Sequence, residues 1–132
     1  MSEAPARSTG ARGVRVRTSA KKSSPRHPSE RRAAWWYRRR GYRVLAANCW
    51  AGGYELDLVV RRGRAIAFVE VKSKAGDRYG DPLEMVTPVK IERLRRAAGA
   101  WLAANPALSG LRLRFDVAAE RAGRLEVVQD AF

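Results

Sequence analysis

The sequence predicts an α/β domain: a mixed β-sheet flanked by helices on both faces, in the order α-β-β-β-α-β-β. Three observations carry this. Two apolar, β-prone runs, Tyr54 to Val60 and Ala65 to Ser73, are separated only by Arg61-Arg62-Gly63-Arg64, the pattern of a hairpin. Thr87-Pro88 then opens a long helical pattern, with a Thr cap followed by Pro at the first helical position. Two further strand-like runs follow that helix, so the later strands join the hairpin through a helical connection.

Each element has a local reason. Ser29 is placed to cap a first helix from Glu30, whose carboxylate suits the first turn. Ala33, Ala34, Trp36 and Tyr37 give this helix a partial apolar stripe, and Gly41 ends it. Tyr42 to Ala47 reads as a strand and Asn48 to Gly53, with its Ala-Gly-Gly, as a turn into the hairpin. From Lys74 to Met85 the chain is polar and contains Gly and Pro, a loop of about a dozen residues, a length often tied to function. The second helix runs to about Asn105, with Ile91, Leu94, Ala98, Trp101 and Leu102 inward and Lys90, Arg93, Arg95 and Arg96 outward. Leu111 to Ala119 and Arg124 to Gln129 complete the strands.

The first quarter differs from the rest. Through Pro28 there are seven Lys/Arg and one Glu, several Pro and Ser, and no large apolar residue besides Met1 and two Val. Such a segment cannot offset its ordering entropy by burial, so residues 1–28 read as a disordered basic arm and 29–132 as one small domain. Of the net charge of +14, the arm supplies +6 and the domain +8. A pI near 11.3, with both parts basic independently, is the electrostatic footprint of a nucleic-acid binder. Cys49 is the only cysteine, which excludes an intramolecular disulfide and a cysteine zinc cluster. No apolar run approaches the ~20 residues of a membrane span. The leader lacks a signal-peptide core and the amphipathic spacing of a transit peptide, so a cytoplasmic setting is expected.

The chemistry concentrates in Phe68-Val69-Glu70-Val71-Lys72. Glu70 and Lys72, two apart in an apolar strand, share a face. Burying charge there costs several kcal/mol unless the groups are paired or bind a metal. Asp57 repeats the anomaly one strand earlier, and the hairpin brings it close to Glu70. Two converging carboxylates repel unless a cation intervenes, and oxygen-only ligation with open water positions suits Mg²⁺ or Mn²⁺. Lys72 then stands where it can orient the attacking water or stabilise charge on a phosphate. A same-face ion pair is the simpler alternative for Glu70 and Lys72 alone.

The Asp-x₁₂-Glu-x-Lys arrangement resembles the PD-(D/E)xK nuclease superfamily. A wider set of motifs is similar to the bacterial UPF0102 family: Gly41-Tyr42, Glu55-Leu56-Asp57-Leu58, Phe68 to Lys72, Val86-Thr87-Pro88-x-Lys90, Arg114-Phe115-Asp116-Val117 and the terminal Ala131-Phe132. The resemblance spans about Ser29 to the C-terminus and leaves out the arm. It implies a restriction-endonuclease-like fold close to archaeal Holliday-junction resolvases. It also implies a metal site of Asp57, Glu70 and the Val71 carbonyl, with Lys72 as the catalytic lysine. Resolvase-like relatives add a glutamate from the first helix, and Glu30 occupies that place; a helix-dipole role for Glu30 stays equally open. One departure stands out: where the family usually has Gly before its Glu-Ile-Asp, this chain has Tyr54.

Around this core, Glu55 is expected to support the site indirectly. Arg38, Arg39, Arg40, Arg61, Arg62, Lys74 and Lys90 are expected to contact phosphates, positioning a backbone without reading sequence. Trp35, Trp36 and Trp101 are either core residues or base-stacking groups, Asp116 a structural hydrogen-bonding residue, and Cys49 and His27 incidental. The expected function is a Mg²⁺- or Mn²⁺-dependent nuclease acting on DNA, branched or structured forms included, and the resemblance makes a homodimer plausible. The alternative is a non-catalytic nucleic-acid-binding module or an accessory subunit of a DNA-processing complex. A ribosome-associated basic protein fits the charge but gives no reason for charges inside a strand.

Overall fold

A computed structural model of the chain describes Pro25 and residues 27–74 and 86–132. The expected arm up to residue 24 and most of the loop before the second helix (75–85) lie outside the described residues, as does the side chain of Lys74. The elements are α1 (Pro28–Arg38), β1 (Arg43–Ala51), β2 (Tyr54–Arg62), β3 (Ala65–Lys74), α2 (Pro88–Ala103), a short 3₁₀ turn (Pro106–Leu108), β4 (Arg112–Arg121) and β5 (Arg124–Val128). The expected order α-β-β-β-α-β-β is therefore the observed one.

The five strands form one mixed sheet in the order β1-β2-β3-β4-β5. Only β3 and β4 run parallel, because α2 carries the chain back across the sheet between them; the other neighbours are antiparallel. This makes β3 central, and its alternation assigns the two cores. Ala67 and Val69 pack with Ala33, Ala34 and Tyr37 of α1, whereas Ile66 and Phe68 pack with Leu94, Ala98 and Trp101 of α2. The Phe68 and Trp101 rings meet edge to face at 5.7 Å.

Two local features depart from the sequence expectation. Helix α1 is capped by His27, not Ser29: the His27 ring accepts from the Ser29 amide, Glu30 accepts from the His27 amide, and Pro28 takes the first turn, where its missing N–H costs nothing. Ser29 is instead buried and donates to Glu120 at 2.7 Å, fastening α1 to β4. Strand β1 also runs four residues beyond Ala47, so the turn shrinks to Gly52-Gly53. Asn48 makes this extension possible. At φ 53° it adopts the left-handed conformation that asparagine tolerates, and it rotates the strand so that Ala47 faces the α1 core and Cys49 the α2 core. Leu58 and Leu56, opposite them on β2, change sides in the same way.

The turn packs on α2. A Cβ on Gly52, at φ +58°, would lie 3.1 Å from the Arg96 carbonyl and 3.2 Å from Ala97 Cα, while one on Gly53, at φ +79°, meets nothing within 4 Å. Gly52→Ala is expected to cost about 1–3 kcal/mol in urea denaturation, and Gly53→Ala only the lower, purely conformational part of that range.

Candidate functional site

The site forms where the β2–β3 ladder ends. Backbone pairing stops at Leu58↔Val69, and the next polar group on β2 is the Asp57 carboxylate. Its Oδ2 accepts the Val71 amide at 2.9 Å, replacing the carbonyl that a continued ladder would supply. In an extended strand the N–H and C=O of one residue point to the same edge, so the Val71 carbonyl opens toward Asp57 as well. On β3, Glu70 follows Phe68 onto the α2 side of the sheet, where only 4 % of its surface is exposed. Lys72 Nζ lies 3.2 Å from Glu70 Oε2, confirming the shared face.

Electrostatics mark this point as unsettled. Burial, and then repulsion from Glu70, push the Asp57 carboxyl from its ordinary 3.8 to about 7, against the stabilising Val71 amide; the Glu30 charge on α1 adds to the rise. Asp57 thus feels one carboxylate from each side of the sheet. Burial works against the Lys72 ammonium, but its contact with Lys90 and the adjacent Glu70 carboxylate together hold the lysine above its ordinary range. Tyr54, at the position where the related motif carries glycine, donates its hydroxyl to Glu70 Oε1 at 3.5 Å. Burial, then the charges of Glu70 and Asp57, push that phenol up to about 12, so it is a proton donor at neutral pH. Sequence reasoning noticed the substitution but not the contact.

The donor set fits a hard divalent cation. Among the described residues no group of three His, Cys, Asp or Glu side chains is placed to hold a metal ion, so the candidate donors are the Asp57 and Glu70 carboxylates and the Val71 carbonyl. Mg²⁺ commonly takes one or two carboxylates and keeps several waters. The Asp57 carboxyl is lifted first by burial and then by Glu70, a pairing that a cation would relieve. Glu30 lies within electrostatic reach of Asp57 while its carboxylate holds the His27 amide, so the structure gives it the helix-end role and places it beside the site. Glu55 pairs across from Trp50 on β1, and its charge acts on the Cys49 thiol.

The basic residues separate into groups. Lys90, in the first turn of α2, approaches Lys72. Arg38, Arg39 and Arg40 are exposed at the end of α1, near the β2–β3 turn. That turn is five residues beyond Asp57, about 16 Å along the strand. Several of these arginines also hold backbone: Arg40 donates to the Trp36 carbonyl at 3.0 Å, Arg62 to the Arg40 carbonyl at 2.8 Å, and Arg61 to the Gly63 carbonyl at 3.0 Å. The tryptophans divide as well, with Trp101 buried and Trp35 60 % exposed. Cys49 is fully buried, and burial raises its thiol to about 11, which makes it unreactive.

Asp116 has the structural role expected of it. Fully buried, it accepts from Tyr37 Oη at 2.5 Å, from Arg114 Nε and Nη2 at 2.9 Å each, and from the Asp130 amide at 2.9 Å. Burial, then the Asp116 charge, push the Tyr37 phenol far above its ordinary range.

Comparison with known proteins agrees with the motifs that meet at this site. The profile of the uncharacterised protein family UPF0102 matches residues 29–119, which include Glu30, Asp57, Glu70, Lys72 and Lys90. A UPF0102 protein of Mycolicibacterium vanbaalenii is 48 % identical over 88 residues, covering 66 % of this chain and 71 % of its own. One of Klebsiella pneumoniae is 38 % identical over 104 residues, covering 78 % and 81 %. One of Dinoroseobacter shibae is 39 % identical over 124 residues, covering 93 % and 87 %. Among the described residues no helix is long and apolar enough to cross a membrane. The chain belongs to the UPF0102 family.

Proposed function

We propose that this protein is a divalent-metal-dependent nuclease that hydrolyses phosphodiester bonds in DNA, branched or structured forms included, in the cytoplasm. One observation carries the reading: the buried carboxylates of Asp57 and Glu70 meet at the opened end of β2–β3 beside Lys72. Asp57, Glu70 and the Val71 carbonyl would hold the cation. When bound, Mg²⁺ or Mn²⁺ supplies Lewis-acid stabilisation of the phosphate and makes the attacking water more acidic. Asp57, brought to its carboxylate form, faces the splayed strand end. Lys72, fully protonated, orients the water or bonds a non-bridging phosphate oxygen. The Tyr54 hydroxyl holds the second oxygen of Glu70 and limits its rotation. The +14 chain supplies sequence-independent, salt-sensitive affinity. Two copies acting on opposed strands suit a junction substrate.

The test assays the full chain and Glu70→Gln on linear, flap and four-way-junction DNA with Mg²⁺ and with Mn²⁺. The expected result is cleavage by the native protein and a loss on the order of a thousandfold in the variant. Equal cleavage by both rejects the assigned site. The second reading, a binding module without turnover, is favoured by the partners Glu70 already has in Lys72 and Tyr54. It predicts no metal-dependent rise in melting temperature.

A further inference from the structure

Helix α1 turns its apolar stripe of Ala33, Ala34 and Tyr37 into the core, and Trp35 falls outside it. Beside Trp35 lies an open cavity of about 430 Å³, walled by Arg32 and Trp36 on the helix, by Arg39 and Arg40 just past its end, and by Gly123 and Leu125 opposite. The two indoles are not equivalent. Arg40 covers one face of Trp36 at 3.7 Å, and Tyr37 meets its ring edge-on at 4.9 Å. Trp35, 60 % exposed, is left as the open ring. Arg32 is held toward the cavity by its ion pair with Glu120 and its hydrogen bond to the Gly123 carbonyl at 3.3 Å.

We propose that this cavity binds single-stranded nucleic acid, with an unpaired base stacked on Trp35 and flanking phosphates on Arg39 and Arg32. The proposal rests on the reading of the protein as one that acts on nucleic acid, and it is independent of catalysis. The charge selects the occupant: three guanidinium groups line the cavity, Arg32 already paired with Glu120, and among the described residues no acidic side chain lines it. The ring selects the form of that occupant. In a duplex the base faces are stacked on one another, whereas an unpaired base offers its face to an aromatic platform. Trp35 is five residues from Glu30, about 8 Å along the helix axis, and the Glu30 charge already acts on Asp57.

Binding of the full chain to a labelled oligothymidylate and to a hairpin duplex of equal length is measured by fluorescence anisotropy in EDTA at several salt concentrations. Trp35→Ala is expected to weaken the single strand about tenfold and to leave the duplex within about twofold. Trp35→Phe keeps most of the affinity. Arg39→Ala lowers the magnitude of the salt slope by about one for the single strand. Native-like single-strand binding by Trp35→Ala overturns the proposal, as does an equal loss on both probes. A change of oligomeric state with DNA binding intact also overturns it and assigns the surface to a second copy. Because binding is read without metal, failure of cleavage in the nuclease assay and failure of this proposal are separate results.

Discussion

Asp57→Asn is expected to abolish metal-dependent cleavage and, in the metal-free protein at pH 8, to raise the melting temperature by a few degrees. Both effects come from one carboxylate. In the proposed function it would supply half of the acidic donor set, and loss of the cation would forfeit several kcal/mol of transition-state stabilisation, on the order of a thousandfold in rate. As a native-state group it is unfavourable, because burial and Glu70 raise its carboxyl from 3.8 to about 7. The folded protein therefore keeps the proton up to about pH 7, whereas the unfolded chain releases it near pH 4. Across that window the native state binds more protons, so this group lowers stability as pH rises, and the penalty is complete above pH 7. Asparagine keeps an oxygen for the Val71 amide and removes the charge. Calorimetric melts in EDTA should show the two proteins alike near pH 4 and the variant more stable at pH 8. A variant less stable at pH 8 would mean that the Val71 bond outweighs the repulsion. Mn²⁺ should raise the native melting temperature more at pH 8 than at pH 6, since the cation displaces the proton, and should leave Asp57→Asn unmoved.

The second large effect is on the scaffold. Asp116→Ala is expected to lower stability by about 3–5 kcal/mol, because it leaves the Arg114 guanidinium without its bidentate partner in a largely buried setting. For a domain of this size the melting temperature should fall by roughly 15 °C or more. The lost bonds are not local. They tie Tyr37 of α1 and the Asp130 amide beyond β5 to the same carboxylate, while Arg114 also donates to Tyr42 Oη at 3.0 Å. Replacing Arg114 by Met and Asp116 by Leu together should cost less than Asp116→Ala alone, since no buried charge is then left unpaired. If the double variant is the less stable of the two, the network stabilises by more than mutual satisfaction of its charges. Loosening α1 also moves Glu30 away from Asp57, so residual metal binding in Asp116→Ala reports how far the scaffold positions the site.

Much of the candidate site was legible as an energetic conflict. Glu70 and Lys72 inside an apolar run had to share a face, and a turn of two to four residues had to bring β2 back beside β3. The Thr87 cap was equally readable, and its side chain accepts from the Lys90 amide at 3.3 Å. Tyr54 was not readable as a partner of Glu70. Sixteen residues separate them, and the contact depends on the rotation that left-handed Asn48 introduces into β1 and its neighbour. The His27 cap was missed because Ser29 has the stronger capping propensity, and only its burial against Glu120 removes it from that role.

By itself the sequence determined the order of elements, the central strand with its misplaced charges, and a strongly basic net charge of +14. These follow from periodicity, punctuation by Gly and Pro, and charge counting, all of which are local. Only the tertiary structure decided which groups the charges meet. It set Asp57 on the Val71 amide, shared Glu70 between Lys72 and Tyr54, buried Trp101 and exposed Trp35 beside its arginines. The physical reason is that alternation assigns a side chain to a face, whereas its partner is chosen by how sheet twist and helix placement bring distant parts of the chain together.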